Sequence, residues 1–252
     1  MILEIEYINN LTSDIWEMKL NGDFPFNNVQ AGQFINIRIK DSYDHLLRRP
    51  ISIAEANTDM QSLTIVFRVV GQGTKWLSQR QKGDKLDVMG PLGVGFPLPD
   101  YNRKVLIVGG GVGVPPLYQL AVDVSKYTKN VHILLGFRNA RECFWQEKFA
   151  DKGELVIATE DGSRGVRGFV TDALKAYKSY WDYVYACGPR PMLKALKQYF
   201  QGQDVKGYVS LEERMACGVG ACYGCVCSSE DRGENFRICK EGPVFPWGEV
   251  DI

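Results

Sequence analysis

Four cysteines near the carboxyl terminus constrain this chain more than any other feature of its sequence. They are Cys217, Cys222, Cys225 and Cys239, and their spacing is C-x4-C-x2-C-x13-C. Four thiolates at this spacing suit two sulfide-bridged irons, as in plant-type 2Fe–2S sites. The glycines between them remove side chains that would keep the loop away from the sulfides. The segment therefore predicts a 2Fe–2S cluster with these four cysteines as its ligands.

Two other interpretations of the cysteines stay open at this stage. Four cysteines also suit a structural zinc ion, although zinc ribbons usually carry two C-x2-C pairs and only residues 222–225 form one here. The thiols would otherwise be buried and without a metal. Cys227, two residues beyond Cys225 on an extended segment, is predicted not to be a ligand.

Composition excludes several classes of function. The 252 residues are 45% hydrophobic and 24% charged, as in one large or two ordinary globular domains. Thirty basic and thirty acidic residues cancel, so the basic footprint of a nucleic-acid-binding domain is missing. With only His45 and His132, a histidine base or a multi-histidine metal site is not expected. The start, MILEIEYINN, has no signal-peptide pattern, which favours a cytoplasmic protein.

One uncharged run has nearly the length of a membrane span. Residues 105–122 carry no charge, but the sequence GGGVGVPP interrupts them. These glycines and prolines indicate a strand, a tight loop and a helix, and no membrane span is expected.

Hydrophobic patterning divides the chain into three regions. Residues 1–100 carry short β-rich runs between glycine and asparagine turns, typical of an antiparallel barrel or sandwich; the runs are 34–40, 63–70 and 85–92. Residues 101–206 alternate strands with helices, which predicts a parallel sheet. The predicted strands there are 104–110, 131–137, 154–160 and 182–189, and the predicted helices are 116–127, 169–177 and 191–200. Residues 207–252 form the cysteine-rich region.

The glycine loop of the second region stands where a phosphate-binding turn belongs, between a strand and a helix. Gly111 and Gly113 fit G-x-G-x-x-G, but Pro116 holds the third place, and the usual acidic ribose ligand is absent directly after the second strand, where GFRNARE (136–142) stands instead. The loop alone leaves open whether it binds a nucleotide or packs tightly. Cys187 and Gly188 follow another strand, where they either border a ligand or are structural.

The order of these motifs carries a resemblance over essentially the whole chain. RRPISIA (48–54) and VFRVVGQGT (66–74) precede the glycine loop, CGPRPM (187–192) and the cysteines. This order resembles the ferredoxin–NADP reductase superfamily. With the cysteines last, it is similar to the electron-transfer subunits of type B dihydroorotate dehydrogenases. The resemblance implies an FAD-binding barrel (1–100), an NAD-binding domain (101–206) and a 2Fe–2S domain (207–252).

The resemblance also implies roles for individual residues. The Arg-Pro-x-Ser motif of the family falls on Arg49, Pro50, Ile51 and Ser52, so Arg49 is expected at the FAD pyrophosphate and Ser52 at the flavin edge. Other flavin contacts are expected from Val66, Phe67, Arg68, Gly73 and Thr74. Gly111, Gly113, Cys187 and Gly188 are expected at NAD(H), and no side chain is assigned as catalytic.

The function implied is a redox relay in pyrimidine (UMP) biosynthesis. Electrons would pass between an FMN-containing catalytic subunit and NAD through the 2Fe–2S cluster and FAD. The implied assembly is a heterotetramer with two subunits of each kind, and dihydroorotate oxidation is expected only with that partner. Val244, Phe245 and Trp247 are candidates either for partner contact or for internal packing. The alternatives are a reductase serving an oxygenase or a hydrogenase, and a zinc-stabilised binding module.

Overall fold

Six strands from the first hundred residues close into an antiparallel barrel, as predicted. The computed structural model describes residues 1–39, 46–177, 179–230 and 233–252; Lys40 and His45 lie outside them. The strands are β1 (Ile2–Asn10), β2 (Ile15–Gly22), β3 (Phe34–Ile37), β4 (Arg49–Asn57), β5 (Ser62–Arg68) and β6 (Lys85–Leu92). They pair in the order β1-β2-β5-β4-β3-β6, and β6 returns to β1 to close the wall. Ile35 and Ile37 point into the apolar interior of the barrel.

Strand β3 shows how alternation assigns the two faces of this wall. Successive side chains of a strand point to opposite sides. Ile35 and Ile37 belong to the barrel core, whereas Phe34 packs in a different core together with Cys225 and Cys239. The outer face of β3 is therefore the surface on which the cysteine-rich region packs.

The second half of the chain forms a seven-stranded sheet covered by helices. Its strands are β7 (Val105–Gly110), β8 (Val131–Phe137), β9 (Glu154–Thr159), β10 (Val166–Arg167), β11 (Tyr183–Cys187), β12 (Lys206–Ser210) and β15 (Val244–Pro246). The order is β10-β9-β8-β7-β11-β12-β15, parallel throughout except for β15. The prediction of a parallel sheet after the barrel is confirmed.

Helices connect these strands, and one short helix belongs to the barrel. The helices are α1 (Gln72–Ser78) after β5, α2 (Pro116–Val124), α3 (Gln146–Ala150), α4 (Val170–Ala176) and α5 (Arg190–Tyr199). Short 3-10 turns span Phe26–Asn28, Gly111–Gly113 and Ala140–Glu142. Within the parts of the chain that the structure describes, no helix has the length and apolar character needed to cross a bilayer.

The cysteine-rich region is a loop with one small hairpin, β13 (Val226–Ser228) and β14 (Asn235–Arg237). Two strands from residue 206 onward belong to the large sheet: β12 and the antiparallel edge strand β15. The domain limits at 100/101 and 206/207 stay predictions, and β12 runs across the second.

The tail predicted as a partner surface or as packing is buried. Val244 and Phe245 are 6% and 2% exposed, and Trp247 stacks on Phe200 with 5.6 Å between ring centroids. Gly207 lies directly under the Trp247 indole, because a Cβ there would come within 1.8 Å of Cε2. Val244 and Phe245 pack the sheet edge and are not available as a partner surface, whereas Trp247 is half-buried against Phe200.

Candidate functional site

The predicted flavin-binding residues surround one cavity of about 400 Å³ on the barrel. Eight of the nine line it: Arg49, Pro50, Ile51, Ser52, Val66, Phe67, Arg68 and Thr74. They come together because β4 and β5 are neighbours in the barrel and α1 follows β5. The ninth, Gly73, contacts Arg49, since a Cβ there would come within 2.5 Å of the Arg49 Nε. The cavity opens between the barrel, the sheet and the segment that leads to the cysteines.

Arg48 and Arg49 have different surroundings although they are adjacent. Arg49 lies over the start of α1, and its Nη1 donates to the Leu47 carbonyl at 2.7 Å. Its charge at the cavity wall suits a diphosphate. Arg48 instead donates from Nη2 to the Asp87 carboxylate at 2.7 Å. That hydrogen bond holds the pKa of the Asp87 carboxyl below its usual range.

A second cavity, of about 390 Å³, lies on the parallel sheet. It is at the carboxyl ends of β7 and β8 and beside the loop after β11, where the strand order reverses direction and ligands of α/β sheets usually bind. Gly111 lines this cavity, and its φ of +54° favours glycine. Arg68 lines both cavities, so the two share a wall.

The remaining residues predicted for the nucleotide are packed next to this cavity. A Cβ on Gly113 would come within 2.5 Å of the Cys187 carbonyl and 2.6 Å of the Gly188 Cα. The linings of the two cavities do not include Gly113, Cys187 or Gly188, all of which the structure describes. Burial raises the pKa of the Cys187 thiol, so it stays neutral. In this structure the three residues hold the loops after β7 and β11 in contact.

The four predicted cluster cysteines form two pairs. Cys222 acts on the ionisation of the Cys217 thiol and Cys225 on that of the Cys239 thiol, and the Cys239 N–H donates to Cys225 Sγ at 3.4 Å. Backbone N–H groups point at the sulfurs: Val219 and Ala221 donate to Cys217 Sγ at 3.4 and 3.3 Å. Gly220 N–H donates to Cys239 Sγ at 3.1 Å. The loop thus presents donors to sulfur from several directions.

The two pairs differ in their ionisation. Backbone hydrogen bonds, that from Val219 first, lower the pKa of Cys217 to about 6, so its thiolate forms readily. Burial, together with Cys225, raises the pKa of Cys239 to about 12. Only thiolates ligate metal, and a bound metal would deprotonate the buried pair.

This donor set fits a binuclear iron–sulfur group better than one metal ion. Within the described residues, no three His, Cys, Asp or Glu side chains converge as a single ion requires. Two thiol pairs would supply two ligands to each of two irons. Cys227 lies on β13, is 5% exposed, and has its thiol pKa raised by burial. The assignment of Cys227 as a non-ligand stays a prediction.

The segment from β12 to the first cysteine was missed by the sequence reasoning. Leu211, Glu212, Glu213 and Met215 line the flavin cavity and lead directly to Cys217. The Glu212 side chain is exposed at the cavity. Desolvation by the surrounding protein nevertheless raises the pKa of its carboxyl. No motif marks these residues; their nearness to the cysteines in sequence is the one available signal.

The barrel with its cavity, the nucleotide-type sheet and the paired thiols define a class: oxidoreductases of the ferredoxin reductase type with an additional iron–sulfur domain. Family models agree, one described as the iron–sulfur cluster binding domain of dihydroorotate dehydrogenase B over residues 212–251 and one as an oxidoreductase NAD-binding domain over residues 107–198. The chain belongs to the family of dihydroorotate dehydrogenase B (NAD(+)) electron transfer subunits. It is 45% identical to the one from Fusobacterium nucleatum subsp. nucleatum, covering 96% of this chain and 95% of the relative.

Two further comparisons agree with this membership. The electron transfer subunit from Bacillus mycoides is 44% identical, covering 95% of this chain and 94% of the relative. Among solved structures, the NADH-dependent reduced ferredoxin-NADP oxidoreductase described for flavin-based electron bifurcation superposes with a TM-score of 0.91 at 30% identity. It covers all of this chain and 90% of that one.

Proposed function

We propose that this chain is the electron-transfer subunit of a dihydroorotate dehydrogenase in de novo pyrimidine biosynthesis. It passes electrons between an FMN-containing catalytic partner and NAD. One observation carries the proposal: the paired cysteines pack against the barrel wall that also borders the flavin cavity. Phe34 takes part in both, because it lines that cavity and packs with Cys225 and Cys239.

The chain's own residues hold and orient the groups. When bound, FAD supplies hydride exchange with NAD(H) and single-electron exchange with the 2Fe–2S cluster. Arg49, lying on Gly73, provides the charge for the FAD diphosphate. Ser52 lines the flavin cavity and would offer its hydroxyl to the flavin, and Arg68 forms the wall shared with the nucleotide cavity. Gly111 lets the backbone approach NAD(H), with Gly113, Cys187 and Gly188 supporting that loop.

Dihydroorotate oxidation belongs to the partner in this proposal. The two cavities already described are assigned to FAD and NAD(H). Apolar side chains on the cluster loop, Val219 at 50% and Tyr223 at 61% exposure, offer the partner a contact surface beside the cysteines. We assign the working assembly as two subunits of each kind, in the cytoplasm.

Cofactor analysis of the chain tests the proposal. Purified without oxygen, it should contain about one FAD, two irons and two sulfides, and NADH should bleach its flavin absorption. An FMN-containing protein should copurify from its native host. A colourless protein with one zinc would refute the proposal in favour of the zinc-stabilised module. An oxygenase or hydrogenase as the copurifying protein would support the alternative reductase.

A further inference from the structure

Asn36, on the outer face of β3, is a buried polar side chain without a partner. Its exposure is 0%, and neither Nδ2 nor Oδ1 makes a hydrogen bond to any described residue. Its main chain is satisfied by contrast, since the carbonyl accepts from Arg48 Nη1 at 3.3 Å. A buried amide that lacks its hydrogen bonds costs about 1–3 kcal/mol. Such a group in the wall of the barrel calls for a physical explanation.

The amide points at the cysteine loop. A Cβ on Gly218 would come within 2.4 Å of Asn36 Nδ2, so the amide touches the residue that follows Cys217. Gly218 has a φ of +73°, and both this conformation and the contact require glycine there. The loop is therefore shaped to let the barrel's amide reach the first cysteine.

The same residue adjoins the flavin motif. On the neighbouring strand β4, Pro50 is the Cα partner of Asn36, and Ser52 is the partner of Phe34. Asn36 thus lies in the wall between the flavin cavity and the cysteine loop. It is the one unpartnered buried amide found there among the described residues.

We propose that Asn36 donates an N–H hydrogen bond from Nδ2 to sulfur at the Cys217 end of the cluster, and that this bond raises the cluster's reduction potential. The inference rests on the proposed function. The cluster's sulfurs are acceptors of the kind the amide lacks, and Val219 and Ala221, on the cysteine loop itself, already donate to Cys217 Sγ. A donor to sulfur stabilises the more negative, reduced cluster, so hydrogen bonds tune the potential. Asn36 is a positioning residue contributed by the flavin barrel.

An EPR-monitored redox titration of Asn36→Leu tests the inference. Leucine has a similar size and no donor, so the one-electron reduction equilibrium of the cluster should become about tenfold less favourable, which is about 59 mV for one electron. The flavin potential and FAD content should stay unchanged. Asn27→Leu, at an exposed position, is the matched control and should leave the cluster potential unchanged. An unchanged potential in Asn36→Leu would overturn the inference.

A second measurement keeps the inference testable if Asn36→Leu fails to assemble a cluster. Wild-type protein labelled with 15N only at asparagine side-chain amides is reduced and studied by pulsed EPR. A 15N coupling to the reduced cluster supports the hydrogen bond, and its absence overturns it. Wild-type protein that contains no iron and sulfide would refute the proposed function itself, whereas an intact cluster without coupling refutes only the role of Asn36.

Discussion

Adjacent arginines in the flavin motif differ in what their guanidinium groups contact, and this leads to a test at the scale of single residues. Arg49 lies at the cavity on Gly73, whereas Arg48 braces β6 through Asp87. Arg49→Gln should weaken FAD binding about tenfold or more, because a hydrogen bond to a charged group contributes about 1.5–3 kcal/mol. Arg48→Gln should leave FAD affinity within about twofold. Fluorescence titration of the apoprotein with FAD measures both, and equal losses would contradict the assignment.

The Arg48 pair also predicts a pH dependence. The pKa of Asp87 is lowered in the folded state, so its stabilisation is present above the unfolded value of about 3.9 and is lost as pH falls through the folded value. The partly exposed Arg48–Asp87 pair contributes up to about 1 kcal/mol to the free energy of unfolding. Urea denaturation between pH 5 and pH 3 should show a smaller loss of stability in Arg48→Gln than in wild type. An identical pH profile would contradict this role.

Cys225 and Cys227 allow a matched test of the ligand assignment. Cys225 pairs with Cys239, whereas Cys227 is buried on β13 with a raised pKa. Cys225→Ala should lose the cluster's iron and EPR signal, since three thiolates leave one iron without a ligand. Cys227→Ala should keep about two irons and two sulfides per chain. Loss of the cluster in Cys227→Ala, at unchanged thermal stability, would make Cys227 a ligand after all.

At the scale of elements, β15 gives the tail a structural role. Phe245 is 2% exposed on this edge strand, and Leu211 N–H donates to the Pro243 carbonyl at 2.9 Å. Phe245→Ala should lower the free energy of unfolding by about 3–5 kcal/mol. Met60→Ala, at a position 62% exposed, is the control and should change it by less than about 0.5 kcal/mol. Urea denaturation measures both; a stable Phe245→Ala with impaired partner binding would restore the partner-surface interpretation.

Patterns in sequence located the strands and helices of the parallel sheet better than those of the barrel, where β1 and β2 were not predicted. Strand β6 was predicted with its observed limits, 85–92, and α2 with its observed start. Strand β4 was missed because RRPISIA was interpreted as a ligand motif. The sequence left the role of the tail open, because an apolar run is the same in sequence whether a sheet edge or a partner covers it. Asn36 was missed because a lone asparagine on a strand acquires meaning only from the loop that packs on it.

At the scale of the whole molecule, a buried carboxylate joins the barrel to the sheet. Glu17, on β2, is 7% exposed and accepts hydrogen bonds from Tyr7 Oη and from Trp145 Nε1, the latter at 2.5 Å. Burial and Glu17 raise the pKa of Tyr7, which keeps its donor proton. The barrel and the sheet also share one apolar core, which includes Ile15 and Tyr118. This contact fixes the flavin cavity against the nucleotide cavity.

Trp145→Phe tests that contact. It removes the N–H donor and leaves a buried carboxylate oxygen unpaired, which should lower the free energy of unfolding by about 1–3 kcal/mol. Hydrogen exchange should rise at β2 and around residue 145, and NADH should reduce the flavin more slowly at unchanged FAD content. Trp16→Phe, on the same strand as Glu17, is the control and should not affect flavin reduction. Equal effects of Trp145→Phe and Trp16→Phe would show that indole packing, and not the hydrogen bond from Trp145 to Glu17, fixes the barrel against the sheet.

Reconstitution with the catalytic partner tests the central claim most directly. NAD reduction by dihydroorotate is followed anaerobically with this chain alone, with the FMN-containing subunit alone, and with both together. The account predicts NADH formation only in the mixture, while this chain alone still transfers electrons from NADH to an artificial acceptor. Dihydroorotate oxidation by this chain alone, or a mixture without NADH formation despite intact FAD and cluster in this chain and FMN in its partner, would contradict it.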